Sequence, residues 1–376
     1  MTGTAVFTIF CSTPPNPFTN TALTKNILPP ASSASLDLKL GQMLLIGFRG
    51  LHPDETLPVV RDLREEQVGG IILFDYDVVL KQKNRNVKTP DQLAGLNRWL
   101  HELSPWPLLL SIDQEGGLVN RLKPEFGFPA TRSHHTLGSL APEEAHQEGF
   151  LIGSTLREYG INLNFAPTLD VNINPDNPII ARRERSFSSD PETVARLAES
   201  YIRGHHNAGV LTCVKHFPGH GSSQADTHLG MVDVTDTWTD AELIPYRHII
   251  SKGICDMVMS CHVFNRHLDP LYPGTLSSAI MDGILRMDMG FDGVVISDDM
   301  QMRAISHHFG LEQAVVTAIN SGVDMLAYGN NLDFDPDIVI SVKRILKNAV
   351  DDGSLDISRV DQAYERIRKI KQRITL

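Results

Sequence analysis

The stretch from Leu211 to Gly230, LTCVKHFPGHGSSQADTHLG, concentrates side chains that can bind a polar ligand or move a proton. These side chains are Lys215, His216, His220, Asp226 and His228. Buried charge must be paired, and glycine in a loop costs conformational entropy, so a purely structural segment seldom combines so many titratable groups with so many glycines. The sequence therefore predicts that this stretch forms half of an active site.

The proton chemistry of this stretch is expected from Asp226 and His228, which are separated by one residue. In a loop this spacing allows a carboxylate to contact one imidazole nitrogen, which sets the tautomer and the basicity of the ring. Such a histidine can give and take a proton near neutral pH. Lys215 and His216 end an apolar run and are expected to contact ligand hydroxyls, whereas His220 is interpreted as a loop residue only.

Acidic side chains also stand at the ends of other apolar runs. Asp113 closes PLLLSID, Asp170 follows NLNFAPT, and Asp298 with Asp299 closes GVVISDD. Taken singly, each is explained equally well as a turn or capping residue. Because all of them stand at the ends of apolar runs, we expect them to meet at one end of the fold, around a common opening. The sequence leaves open which of Asp298 and Asp299 faces this opening.

Three arginines precede a predicted helix in the segment NPIIARRERSFSSDP. A surface basic cluster explains Arg182 and Arg183. Arg185 lies next to the helix start, where a fixed guanidinium can form paired hydrogen bonds to a carboxylate. Arg185 is therefore the arginine that we expect in the site.

Eight apolar runs can position these side chains. Because the runs are continuously apolar, they predict strands buried on both faces, as in a parallel sheet covered by helices. The runs cover residues 43–48, 68–74, 107–113, 162–168, 211–217, 254–263, 293–299 and 324–329.

Helices are predicted between these runs. One begins after Asp190 and ends near Gly209, a second begins at Ser277 or Ser278, and a third ends at Gly322. Two more are expected within residues 335–372. This alternation predicts an α/β fold, a single-domain (β/α)8 TIM-type barrel with the C-terminal helices packed outside. An open doubly wound sheet is the alternative, but no GxGxxG motif follows an early strand.

Composition excludes several classes of function. The 376 residues carry a formal charge of −11, which disfavours nucleic acid or an anionic membrane surface as a partner. No run is long enough to span a membrane. The four cysteines show neither a disulfide framework nor a zinc-binding spacing.

The N-terminal segment differs from the rest of the chain. Residues 1–37 are rich in proline, serine and threonine and are predicted to be a flexible tail, with the barrel domain covering residues 38–376. The first residues are apolar but lack a basic segment before them. The expected location is cytoplasmic, or exported or periplasmic if this segment acts as a signal.

Six motifs together resemble those of glycoside hydrolase family 3, and specifically of its single-domain bacterial β-N-acetylglucosaminidases (β-N-acetylhexosaminidases) of the cell-wall recycling type. The resemblance extends from about Leu38 to Ile374. The motifs are DQEGG at 113–117, FAPTLDVN at 165–172, RSF at 185–187, KHFPGHG at 215–221, DTH at 226–228 and SDDMQM at 297–302.

The resemblance implies a retaining exo-acting glycosidase that forms a covalent glycosyl-aspartate. It implies that Asp298 is the nucleophile and that Asp226 with His228 is the general acid/base. The implied sugar-binding residues are Asp113, Arg121, Arg185, Lys215 and His216. No cofactor or metal is implied, and the partner is a small carbohydrate. Leu118 departs from the family, which often has arginine after DQEGG.

Alternatives remain open at the level of sequence. The chain could be a β-glucosidase or a phosphorylase of the same family, or a sugar-binding protein without activity. A metal-dependent barrel hydrolase would use His216, His220, Asp226 and His228 as ligands. The natural aglycone could belong to a muropeptide, a chitooligosaccharide or a glycoconjugate, and the expected assembly is a monomer or a weak oligomer.

Overall fold

Eight parallel strands close into a barrel in the computed structural model, which describes residues 26–374. Each strand pairs with its neighbours in chain order, and the first pairs with the last, with Leu44 opposite Leu326. The strands are β1 Leu44–Gly47, β2 Gly70–Leu73, β3 Leu109–Ile112, β4 Leu163–Asn164, β5 Leu211–Phe217, β6 Met257–Ser260, β7 Val294–Asp299 and β8 Met325–Tyr328. Each lies within one predicted run, so the predicted barrel is confirmed and the open sheet is excluded.

Helices cover the outside of the barrel. They are α1 Leu36–Gln42, α2 Pro58–Arg64, α3 Pro90–Leu103, α4 His134–Gly138, α5 Pro142–Glu158, α6 Pro191–Asn207, α7 Ile244–Ser251, α8 Arg303–Ser306, α9 Leu311–Asn320, α10 Ile338–Asp351 and α11 Ile357–Lys371. The crossover between β6 and β7 is a π-helical segment, Ala279–Asp288. The two C-terminal helices pack on α1 and α9, as predicted.

Local sequence signals set several of these boundaries. The side chain of Asp190 accepts a hydrogen bond from the backbone N–H of Thr193 and caps α6, whose first turn contains Pro191. The helix ends before Gly209, which has a φ of +78°. The Ser277 hydroxyl accepts from the N–H of Ile280 at 3.1 Å at the start of the π-helical segment.

The continuous apolarity of the strands has a direct structural cause. In β1, for example, Leu44 and Leu45 point to opposite faces of the sheet and both are fully buried. One face fills the barrel interior and the other packs on the helices, so neither face can be polar. Among the described residues, no helix is long and apolar enough to cross a membrane.

The described part of the predicted tail is packed against α11. Leu28 is buried beside Leu38 and Tyr364. The hydroxyl of Tyr364 donates to the carbonyl of Pro29 at 2.8 Å, and the N–H of Ala31 donates to Glu365 at 2.6 Å. Residues 1–25 of the predicted tail, including the candidate signal and Cys11, lie outside the described residues, so the domain boundary at residue 37 stays a prediction.

A buried carboxylate joins α11 to the barrel at the end of the strands opposite the acidic mouth. Asp324, just before β8, is fully buried and accepts hydrogen bonds from Arg286 at 2.6 Å, Arg359 at 2.8 Å and Arg366 at 3.3 Å. It also accepts from the backbone N–H of Val295 at 2.9 Å. A single carboxylate thus pairs with three guanidinium groups, two from α11 and one from the π-helical segment between β6 and β7.

We expect Asp324→Ala to lower the free energy of unfolding by about 3–5 kcal/mol, because it leaves buried cations without their partner. Urea denaturation followed by circular dichroism measures the change. Asp292→Ala is the matched control, since Asp292 bonds Arg366 at 3.1 Å but its side chain is 74% exposed. The control should lose about 0–1 kcal/mol. Equal losses in both variants would show that Asp324 stabilises the fold no more than a surface carboxylate does.

Candidate active site

The predicted site residues meet at the carboxyl-terminal ends of the barrel strands, the end at which barrels of this kind carry their sites. They line one cavity of about 620 Å³. All eight predicted residues contribute to its wall: Asp113, Arg121, Arg185, Lys215, His216, Asp226, His228 and Asp298. Leu118 also lines the cavity and is exposed.

Glu115, the glutamate of the DQEGG motif, lies at the floor of this cavity and was not among the predicted site residues. Both of its oxygens accept hydrogen bonds from Arg185 at 2.8 Å, and Lys215 lies 2.7 Å away. Burial alone would raise the pKa of this carboxyl, but Arg185 and Lys215 hold it well below its usual range. The paired hydrogen bonds expected of Arg185 are therefore formed with Glu115, whereas Arg182 forms only an exposed ion pair with Asp176.

Asp113 lies on the other side of Lys215. Its Oδ1 accepts from the Lys215 ammonium group at 2.8 Å, and its Oδ2 lies 3.6 Å from the guanidinium of Arg121. The Asp113 side chain keeps 18% of its surface exposed, whereas that of Lys215 keeps 2%. Asp113 can therefore accept hydrogen bonds from a ligand while its charge remains neutralised.

His216 is held by a second buried carboxylate. Its Nδ1 lies 2.6 Å from Oδ2 of Asp170, and its Nε2 lies 3.0 Å from the guanidinium of Arg185. Because the guanidinium can only donate, Nε2 is the acceptor and Nδ1 carries the proton. Asp170, which the sequence left ambiguous, also accepts from the backbone N–H of His220 at 2.7 Å.

Asp226 and His228 form the contact that their spacing allows. Oδ1 of Asp226 lies 2.7 Å from Nδ1 of His228 and accepts from the His228 backbone N–H at 2.8 Å. Burial alone would lower the pKa of His228, but Asp226, followed by the charge of Asp298, raises it above its usual value. The imidazole thus holds a proton more tightly than a free histidine does.

The two acids at the end of β7 differ in their surroundings. Asp298 accepts only from the N–H of Asp299 among the described hydrogen bonds, at 2.8 Å. Burial would raise the pKa of Asp298, but neighbouring histidines, His262 foremost, lower it. The carboxylate of Asp299 accepts from the backbone of Gln301 and Gly329, and burial raises its pKa to about 6. Of the two carboxylates, that of Asp298 therefore has fewer hydrogen-bond donors around it among the described residues.

A buried acid supports the loop that follows β5. Oε2 of Glu242 accepts from the N–H of Gly221 at 2.8 Å, and burial raises the pKa of Glu242 to about 8. At Gly219 the backbone has a φ of +125°, and a Cβ there would lie 2.5 Å from the same carboxylate oxygen. The close approach of loop and carboxylate requires glycine at this position.

Among the described residues, no group of three or more histidine, cysteine or acidic side chains is arranged to hold a metal ion. Of the candidate ligands, His216 already contacts Asp170 and Arg185, and His220 contacts Ser223 at 2.7 Å. The three cysteines in this part of the chain are unpaired thiols.

Known proteins resemble this chain in both overall sequence and fold. Residues 35–370 match the family described as Glycosyl hydrolase family 3 N terminal domain. The chain belongs to glycosyl hydrolase family 3. Among curated relatives, this family 3 chain is 36% identical over 273 residues to a Beta-hexosaminidase of Tolumonas auensis, covering 72% of this chain and 78% of the relative. It is 31% identical to a Beta-hexosaminidase of Nitrosomonas eutropha, covering 88% and 92%.

Solved family 3 structures have the same fold. A β-N-acetylglucosaminidase of Paenibacillus superposes with a TM-score of 0.83 at 36% identity, covering 91% of this chain. This chain spans 63% of the length of that protein. A β-N-acetylhexosaminidase of Beutenbergia cavernae has a TM-score of 0.81 at 27% identity, covering 90% of this chain and 99% of its own.

We expect Asp226→Asn to lower the pKa of His228, because the substitution removes the negative charge that stabilises the imidazolium and leaves a neutral, weaker acceptor in its place. An NMR titration of the histidine ring signals measures the midpoint, with His228→Gln assigning the resonance. Asp233→Asn is the control, since Asp233 is an exposed acid nearby that bonds Thr235 instead. An unchanged midpoint in Asp226→Asn would show that the dyad contact does not tune His228.

Proposed function

We propose that this chain hydrolyses terminal β-linked N-acetylglucosamine with retention of configuration, through a covalent glycosyl-aspartate on Asp298. One observation carries the proposal. A single cavity holds Asp298, a carboxylate with no salt bridge among the described residues, together with His228, an imidazole in contact with the carboxylate of Asp226. Double displacement needs a nucleophile and a proton donor that can become a base. The names of the curated relatives and the solved structures support the choice of sugar.

The sugar is bound by groups whose positions are fixed before it arrives. Asp113 and Lys215 form an ion pair, and Arg185 and His216 are each held by a buried carboxylate. Charged donors and acceptors make strong hydrogen bonds to hydroxyl groups. Because these side chains are already held in place, binding of the sugar does not carry the additional entropic cost of ordering them.

In the first step, Asp298 attacks the anomeric carbon while His228 donates its proton to the leaving oxygen. The bond between the anomeric carbon and that oxygen breaks, and an ester to Asp298 forms. The lowered pKa of Asp298 keeps it ionised, and the raised pKa of His228 keeps its proton available near neutral pH. The two groups are thus in the required protonation states at the same pH.

In the second step, the neutral imidazole of His228 takes a proton from water as the water oxygen attacks the anomeric carbon. The ester bond breaks and returns the Asp298 carboxylate, and His228 is again protonated. A histidine has an electrostatic advantage over a second carboxylate in this position. Two neighbouring carboxylates would raise each other's pKa, whereas protonated His228 helps to keep Asp298 ionised.

The partner of this site is therefore a carbohydrate, and the same geometry accommodates the alternatives. A β-glucosidase would use the same nucleophile, although the pairing of Asp226 with His228 argues against it, and a phosphorylase would use phosphate in place of water. The choice of aglycone among a muropeptide, a chitooligosaccharide and a glycoconjugate stays open. The cytoplasmic location and the monomeric or weakly oligomeric state stay predictions.

The substrate is tested by comparing 4-nitrophenyl β-N-acetylglucosaminide with 4-nitrophenyl β-glucoside. We expect kcat/KM to be at least about 100-fold higher for the N-acetyl sugar, the discrimination that a pocket with dedicated polar contacts achieves. Added phosphate should leave the sugar product unphosphorylated. Preference for the glucoside would favour the glucosidase alternative, and a sugar phosphate would favour phosphorolysis.

The nucleophile is tested by Asp298→Asn, for which we expect kcat to fall by about 10⁴-fold or more, as when other catalytic nucleophiles are removed. Asp299→Asn is the matched control and should lose far less, because its amide oxygen can still accept the backbone N–H of Gln301. Mass spectrometry after reaction with a 5-fluoro N-acetylglucosaminyl donor should locate the adduct on Asp298. An adduct on another residue would refute the assignment.

A further inference from the structure

Thr227 lies between Asp226 and His228, the proposed acid/base dyad, but its side chain faces the protein interior. It is 1% exposed, whereas the side chains of Asp226 and His228 are 24% and 48% exposed. The next residue, Leu229, is 73% exposed. Thr227 is therefore the point at which this segment of the loop is attached to the rest of the molecule.

Two contacts from different elements make this attachment. The Thr227 hydroxyl lies 3.3 Å from Nε2 of His220, and its carbonyl accepts from the backbone N–H of Ala304, in the first turn of α8, at 3.2 Å. His220 belongs to the loop after β5, and α8 follows β7, the strand that carries Asp298. The dyad is thus tied to the strand ends that bear the rest of the site.

His220 is itself held on three sides. Its backbone N–H donates to Asp170, and its Nδ1 lies 2.7 Å from the hydroxyl of Ser223. That hydroxyl accepts from Asn177 at 3.0 Å and can donate to the carbonyl of His220 at 3.0 Å. With the serine proton used in this way, Nδ1 carries the proton of the ring and Nε2 accepts from Thr227. The ring is 1% exposed, and no water is needed to satisfy either nitrogen.

We propose that Thr227 and His220 are positioning residues for proton transfer, and that their hydrogen bond fixes His228 over the leaving oxygen of the substrate. This inference rests on the proposed function of His228 as the general acid/base. It gives His220 a function that the sequence did not reveal. It also gives Asp170 two functions, because the same carboxylate orients the sugar-binding His216 and the residue that anchors the dyad.

The hydrogen bond between Thr227 and His220 is long and joins two neutral groups. A hydrogen bond of 3.3 Å between neutral groups is weaker than the charged contacts around Glu115, so it can break and re-form while the floor of the cavity stays intact. The loop can then open for ligand exchange and return His228 to one defined position.

The test replaces the hydroxyl of Thr227 and varies the need for an acid. Thr227→Val keeps the shape of the side chain but removes the donor, and Thr227→Ser restores it. A phenyl leaving group needs protonation, whereas a 2,4-dinitrophenyl leaving group does not. In Thr227→Val we expect kcat/KM to fall about 10–100-fold for phenyl β-N-acetylglucosaminide and by less than about 3-fold for the dinitrophenyl substrate.

Three outcomes would overturn the proposal: equal losses on both substrates, no loss on either, or a Thr227→Ser enzyme as impaired as Thr227→Val. Thr212→Val is the matched control, because it removes another buried hydroxyl, bonded to Asp256 at 3.1 Å at the opposite end of β5. It should destabilise the protein without changing the ratio of kcat/KM between the two substrates.

Hydrogen–deuterium exchange tests, without any substrate, whether the hydrogen bond between Thr227 and His220 tethers the loop. Thr227→Val should speed exchange in residues 226–230 by about two- to ten-fold, the effect of losing one neutral hydrogen bond. Thr227→Ser and Thr212→Val should leave it near the wild-type rate. If the wild-type protein cleaves neither glycoside, the proposed function fails, and unchanged exchange in Thr227→Val separately refutes the tether.

Discussion

The candidate site depends on the pairing of two buried cations with two carboxylates beneath the cavity. Glu115 binds Arg185 through two hydrogen bonds and shares Lys215 with Asp113. None of these charges would be stable at this depth without its partners, because desolvation costs more than any single ion pair returns. The four groups come from two strand ends and one loop, so their pairing also fixes the distances between those elements. The floor of the cavity is therefore held in place before any ligand is present.

A second arrangement is built on Asp170, and it links the two halves of the chemistry. The carboxylate of Asp170 holds His216 on the ligand side and the backbone of His220 on the loop side. In the proposed function, groups that are held in place bind the sugar, while Asp226 and His228 lie on a more exposed segment that is attached through the buried Thr227. This division agrees with the chemical demands, since sugar binding requires fixed donors and proton transfer requires a group that acts twice.

The barrel could be predicted because its signal is local. Each buried strand is a short apolar run, and caps such as Asp190 mark the helices between them. The lengths of the strands were less predictable than their positions: the apolar run at residues 162–168 contains only a two-residue strand, Leu163–Asn164. The π-helical geometry of Ala279–Asp288 also left no pattern that distinguishes it from an ordinary helix.

The site was predictable only in part, because its polar contacts join distant residues. The contact between Asp226 and His228 follows from their spacing. The strand ends indicate Asp113, Lys215 and the pair Asp298 and Asp299, but they do not choose between the two acids of that pair. The partners of Arg185 and His216 are 70 and 46 positions away in the chain, so no local pattern reveals that Glu115 and Asp170 bind them. Likewise, nothing in the spacing of His220 showed that its ring would be buried against Thr227.

Closure of the barrel by β1 and β8 has a consequence for synthesis of the chain. One edge of β1 pairs only with β8, where Leu44 lies opposite Leu326. The helices α1 and α11 are joined in the same way, because Lys371 donates a hydrogen bond to Gln42. Until the ribosome has made β8, the nascent sheet carries an open apolar edge, the kind of surface on which chains pair wrongly with one another. Until β8 is made, the early strands therefore rely on the helices already made to cover their apolar surface.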